Sequence, residues 1–176
     1  MKNLKKYVLS ALFAALCCIA TMLIQCPSPT GGYIHLGDGF VILSGIILGP
    51  IYGGLAAGIG SMFADVFTGY FVFAPATLII KALAAVAAAY IFKLISKAIK
   101  GIKSYIIGGI LCGIAAIVIV TVGYLLFETC LKGFSIAVTG VVGNIVQGIG
   151  GLIIATILIP ILGNIPDIKE IMNEEK

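Results

Sequence analysis

Long apolar stretches, interrupted at short intervals by proline, glycine and lysine, divide the chain into six segments. A first apolar run, about 4–25, ends at Cys26-Pro27-Ser28-Pro29-Thr30-Gly31-Gly32, where proline removes donors and glycine favours irregular backbone. The stretch from Pro27 to Gly37 reads as a loop carrying Tyr33 and His35. A second helix, about 38–49, starts at Asp38, an acid placed to cap or complement a helix N-terminus, and ends at Gly49-Pro50. The third covers about 51–67. The second and third are short, so they form either two tilted spans or a re-entrant hairpin, and two spans keep the lysine-rich segments on one side. An aromatic connection, Thr68 to Pro75, precedes a fourth helix at about 76–95, and the basic loop Ser96–Lys103 precedes a fifth at about 104–127. After a short segment with Glu128, Lys132 and Gly133 comes a sixth at about 135–162, then a charged tail from Pro166 to Lys176 expected to be exposed and partly ordered. The expected architecture is an all-α integral membrane protein, a single six-helix membrane domain over residues 1–176 with both termini cytoplasmic.

Composition supports the bilayer as the solvent. Of 176 residues, 61% are hydrophobic and 10% charged, and mean hydropathy is +1.21, far from the half-apolar, quarter-charged balance of a soluble domain. The positive charges are all lysine, with no arginine, so the basic arginine face of a nucleic-acid binder is missing. Lys2, Lys5, Lys6 and Lys93, Lys97, Lys100, Lys103 sit where positively charged cytoplasmic flanks belong. With six spans, nine of the eleven lysines fall inside or at the inner boundary, leaving Lys132 outside and Lys81 within a helix. The lysine-led N-terminal stretch has a signal-peptide look, but bulky Gln25 before Cys26 and a spanning length favour a retained helix. The five cysteines lack metal-type spacing. They read mainly as small apolar filler, with a Cys26–Cys130 disulfide as the alternative.

Small residues four apart mark helix faces suited to close packing: Gly45/Gly49, Gly49/Gly53, Gly54/Gly58, Gly109/Gly113 and, on the first helix, Ala11/Ala15. Internal packing explains most of these, and the first helix is the better candidate for a partner helix.

The few polar groups within the helices lie toward one side. Asp65 falls near the outer end of the third helix, and Lys81 about 8 Å below the outer end of the fourth. Tyr124 and Glu128 share a face, as do Asn144 and Gln147. The opposite half is almost wholly aliphatic, whereas an ion relay needs polar groups through the full thickness. The pattern describes a pocket open to the outside, with Tyr33, Tyr70, Phe71, Phe73 and Tyr124 able to stack on a flat ring. Local alternatives stand beside it: Asp65 and Lys81 as a mutually neutralising pair, Asn144 and Gln147 as interhelical glue, Glu128 as a solvated helix end, His35 as a loop histidine without a ligand. The chain lacks a phosphate-binding G-x-x-x-x-G-K-[ST] loop and an H-E-x-x-H metal motif. Gly58-Ile59-Gly60-Ser61-Met62 has no histidine base at similar depth. No catalytic residues or cofactors are expected.

His35-Leu36-Gly37-Asp38-Gly39-Phe40, Gly49-Pro50-Ile51-Tyr52-Gly53-Gly54-Leu55-Ala56-Ala57-Gly58-Ile59-Gly60-Ser61, Ala64-Asp65, Gly69-Tyr70 and Ala74-Pro75-Ala76-Thr77-Leu78-Ile79-Ile80-Lys81 resemble the substrate-binding S components of energy-coupling factor (ECF) vitamin transporters. The resemblance implies a small six-helix protein of the cell membrane that captures a water-soluble vitamin or precursor from outside. It also implies docking onto a transmembrane coupling (T) protein and two cytoplasmic ATPases, which accounts for the missing phosphate loop. The family's A-x-x-x-A docking motif falls on Ala11 and Ala15, and its pocket regions, the first outer loop and helices four to six, hold Tyr33, His35, Lys81, Tyr124, Glu128, Asn144 and Gln147; Asp65 joins these substrate-binding candidates from the polar pattern. The block looks closest to members taking small heteroaromatic compounds, with pyridoxine or hydroxymethylpyrimidine favoured and riboflavin next. A self-contained secondary transporter or channel is the main alternative, and a membrane-embedded lipid enzyme a more distant one.

Overall fold

The computed structural model describes residues 2–23, 25–28 and 32–175. Ile24, at the expected end of the first helix, and Pro29, Thr30 and Gly31 of the expected loop lie outside the described residues. The order is α1 (Lys2–Leu23), β1 (Gln25–Pro27), β2 (Tyr33–His35), α2 (Asp38–Phe67), α3 (Ala74–Ala98), α4 (Ile102–Lys132), α5 (Phe134–Leu162) and α6 (Pro166–Glu174). Helices α1 to α5 are each long and apolar enough to cross a membrane.

The segment expected to be loop instead forms a two-stranded antiparallel ribbon, with Gln25 opposite His35 and Pro27 opposite Tyr33. The connection with Glu128, Lys132 and Gly133 also differs, since α4 runs on through Glu128 to Lys132 and only Gly133, at φ +86°, separates it from α5. Apolar side chains flanking Glu128 let the helix continue, and glycine supplies the left-handed turn.

Helix α2 forms the centre. Val41, Ile42, Leu43, Ile46, Ile47 and Leu48 are all buried, as expected for a helix apolar on every side. It is not one straight rod. Gly49 has φ +77° and ψ −176°, followed by Pro50, a conformation essentially restricted to glycine. The chain reverses there: the Ser44 hydroxyl donates to the Gly53 carbonyl at 3.1 Å. Asp38 and Asp65, from opposite ends of α2, both lie at the same end of the molecule, beside Gln147 and Tyr33 respectively. A Gly49→Ala change forces a side chain into that backbone and against the Glu175 carboxylate. It is expected to cost about 1–3 kcal/mol, read as a lower thermal unfolding temperature in detergent.

Most of the small-residue faces are internal. Gly45 backs onto the Ala85 main chain, Gly54 and Gly58 onto Ala82 and its neighbours in α3, Gly60 onto Ala14 of α1, and Gly109 and Gly113 onto Thr156 and Leu152 of α5. Ala11 and Ala15, in contrast, are exposed on α1.

The charged tail is more ordered than its composition suggests. In α6 Ile168, Ile171 and Met172 are buried against the reversal in α2, because three apolar positions on one helical face outweigh the surrounding charge. Lys5 pairs with Asp167 at 2.6 Å and Glu170 at 3.5 Å, and Lys6 pairs with Glu175. All five cysteines are free; Cys26 and Cys130 are exposed and unpaired with each other.

Candidate functional site

At the end of the bundle away from the lysine-rich loop lies a pocket with about 440 Å³ of empty space, its open mouth included. Strand β2 contributes Tyr33, Ile34 and His35, α2 contributes Asp65, the start of α3 gives Thr77, the end of α4 gives Tyr124 and Glu128, and α5 gives Gly140, Asn144 and Gln147. Of the eight positions singled out from the sequence, seven line this one space; Lys81 does not.

Lys81 lies beneath it. The side chain is fully buried, and its ammonium pairs with Asp38 Oδ1. The expected Asp65–Lys81 neutralisation is therefore replaced by Asp38–Lys81. Asp38 does not cap its helix, where Gly37 stands at the N-cap without a side-chain bond. Its carboxylate turns inward because a lysine at that depth requires an anion more than the helix end requires a cap. Lys81 Nζ also sits 5.5 Å from the centre of the Tyr124 ring, a cation–π contact that places the phenol face.

The polar chain extends upward from that pair. Gln147 Nε2 donates to Asp38 Oδ2 at 2.9 Å, and the His35 backbone N–H donates to Gln147 Oε1 at 3.1 Å. Both ends of the Gln147 amide are thus committed, so interhelical bonding and pocket lining are the same act. The Gly37 N–H donates to His35 Nδ1 at 3.0 Å. His35 is buried rather than a free loop residue, and burial pushes its imidazole down to about 3, with nearby Lys81 acting in the same direction and Asp38 against it.

The walls are aromatic and carboxylic. The Tyr33 hydroxyl donates to Asp65 Oδ1 at 2.6 Å; burial, then the Asp65 contact, holds this phenol well above its ordinary value. Asp65 Oδ2 is buried with no hydrogen-bond partner among the described residues. Tyr33 packs against Tyr70 at 4.5 Å between ring centres, and Phe73 against Phe127 at 5.6 Å. Phe71 is exposed and does not line the space. The hydroxyls of Thr77 and Tyr124 are 2.8 Å apart. Glu128 is buried, contrary to its reading as a solvated end. The Asn144 amide, half-buried, carries no hydrogen bond to a described residue.

Sequence reasoning passed over Thr77, Gly140 and the true role of Asp38. The signal for the first two was spacing: Thr77 precedes Lys81 by four and Gly140 precedes Asn144 by four, so each shares a face with a residue already singled out. Asp38 offered no such signal, since its partner lies 43 positions away.

A bundle with five helices long and apolar enough to cross a membrane, and a polar, aromatic-walled pocket at one end, has the make-up of a multi-pass membrane protein with a site for a small solute. The family described as "ECF-type riboflavin transporter, S component" matches residues 1–164, and the chain belongs to that family. The solved structure described as "Structure and mechanism of the S component of a bacterial ECF transporter" has the same fold, with a TM-score of 0.67 and 20% identity over 92% of this chain and 97% of that one. A protein of Pyrococcus woesei, described as an uncharacterized protein in a gap 3' region, is 34% identical over 137 residues, 77% of this chain and 86% of its own length. Family and fold are those of transporter substrate-binding subunits and not of enzymes.

Proposed function

We propose that this chain captures riboflavin from outside the cell and hands it to an ATP-driven importer, working as the vitamin-specific subunit beside a T protein and two cytoplasmic ATPases. The observation that carries the reading is the pocket itself, where phenol rings flank a space edged by carboxylates, an amide and an imidazole. A tricyclic dione with a polyhydroxyl chain matches that mixture of stacking surface and hydrogen-bonding groups. The family's description also favours riboflavin over the smaller pyridoxine and hydroxymethylpyrimidine rings expected from the sequence block. Tyr33, His35, Asp65, Tyr124, Glu128, Asn144 and Gln147 are its proposed contacts, with Lys81 acting from below through Asp38 and Tyr124.

Six crossings accompany this reading, the two arms of α2 counting separately on either side of Gly49, with both termini and the Lys93–Lys103 region on the cytoplasmic side. The lysine distribution supports that orientation. Ala11 and Ala15 are the proposed docking residues on α1, exposed and four apart.

The test is to purify the chain in detergent and titrate it with riboflavin, following flavin fluorescence. Saturable quenching at one flavin per chain is expected, because stacking on tyrosine deactivates the excited ring. A flat titration, with pyridoxine or hydroxymethylpyrimidine raising the unfolding temperature instead, assigns the pocket to the smaller rings.

A further inference from the structure

We propose that His35 is held as the neutral imidazole protonated on Nε2, and that it acts as a one-way hydrogen-bond donor gripping its ligand through an acceptor, a carbonyl oxygen or bare ring nitrogen. The inference rests on the flavin reading of the pocket and adds the polarity of one contact and the direction of the bound ring.

The geometry fixes the tautomer. A backbone N–H can only donate, so the 3.0 Å bond from Gly37 to Nδ1 requires a bare lone pair there. In a neutral ring the proton then belongs to Nε2. No described group is a partner of Nε2, and the residue lines the pocket. The backbone on both sides of the ring is pinned as well: its own N–H is tied to Gln147, which is tied to Asp38, which is paired with Lys81. Asp38, Gln147 and Lys81 are therefore positioning residues for this contact.

The surrounding charges keep the ring neutral. From α3 the Lys81 ammonium opposes a second proton, while Asp38 of α2 favours it and is already engaged by Lys81. Tyr33 packs its ring 5.5 Å away on the same strand. Asp65 of α2 and Glu128 of α4 face the same pocket. Burial is the largest influence and favours the uncharged form.

A second group lining the pocket is of opposite kind. Asp65 presents a buried carboxylate oxygen with no hydrogen-bond partner among the described residues, an acceptor when ionised. A ligand with acceptors on one edge and hydroxyl donors on the other satisfies both. In riboflavin this directs the dione edge of the ring to His35 and the ribityl hydroxyls toward Asp65.

His35 is the only histidine in the sequence, so histidine labelled with ¹⁵N gives a single, assigned pair of ring signals. In the detergent-solubilised chain the expected spectrum has Nε2 protonated and Nδ1 bare, unchanged from about pH 5 to about pH 8, a window across which a free imidazole titrates. Riboflavin is expected to move the Nε2 proton downfield, the direction produced by a new acceptor. A His35→Phe variant is expected to bind riboflavin about tenfold more weakly, as for loss of one hydrogen bond in a buried site, and His35→Gln, which keeps an N–H donor, to recover part of that. A proton on Nδ1, a titration within that window, or an Nε2 proton indifferent to bound riboflavin overturns the inference while the flavin reading stands. Failure of riboflavin to bind the unaltered chain overturns both.

Discussion

An Ala15→Trp variant is expected to bind riboflavin as the unaltered chain does, within about a factor of two, and to import none. Ala15 and Ala11 lie on the uncovered side of α1, alongside exposed Val8, Leu12 and Ile19. Apolar side chains alone do not draw helices together in lipid, because lipid tails are as apolar as leucine. Close approach of backbones does, and it requires small residues at the contact. An indole at position 15 holds a partner helix away by several ångströms while leaving the ligand pocket, whose lining takes no residue from α1, untouched. Vitamin uptake by whole cells and binding by purified chain separate the two effects. Val118→Trp is the control, since Val118 is exposed on α4 and is expected to leave uptake intact. Uptake preserved in Ala15→Trp removes α1 as the docking helix.

The second large effect is expected at the buried ion pair. Asp38→Ala leaves the Lys81 ammonium without its carboxylate in a fully buried position. Breaking such a pair by removing one partner costs about 3–5 kcal/mol, because the remaining charge stays desolvated. Replacing both partners by apolar groups is often neutral or stabilising, so Asp38→Ala combined with Lys81→Met is expected to recover most of the loss. Thermal unfolding in detergent reads both. The double variant carries a further expectation: with Gln147 released from Asp38, riboflavin binding stays weakened even though the fold recovers. Recovery of stability and affinity together means that Gln147 is placed by something other than Asp38.

The same pair shows why part of the site was legible in the sequence and part was not. Depth along a helix can be counted from its ends, and a charged or amide side chain in an apolar run stands out. Those two features group Tyr124, Glu128, Asn144 and Gln147 from the sequence alone. Partnership across helices is another matter. Asp65 and Asp38 are both acids at the same end of the molecule as Lys81, and only the way the two arms of α2 pack against α3 decides between them. That packing is set by close backbone contacts such as Gly45 on Ala85, which leave no periodic trace distinguishing one glycine from another. The α6 helix was obscured for a related reason: three apolar residues among four charged ones read as solvated chain unless a surface is known to be waiting for them.

The 31 residues of α4 extend to about 46 Å at 1.5 Å per residue, while the hydrocarbon of a bilayer is about 30 Å thick. Counting about twenty residues from Lys103, anchored among the headgroups at the lysine-rich end, brings the opposite boundary close to Gly123. Tyr124 and Glu128 then stand at headgroup level, in a zone that water and salt reach. A solute entering between them leaves water without dissolving in oil. The Asp38–Lys81 pair is fully buried beneath that rim, so its charges are shielded from the water and salt that reach the rim.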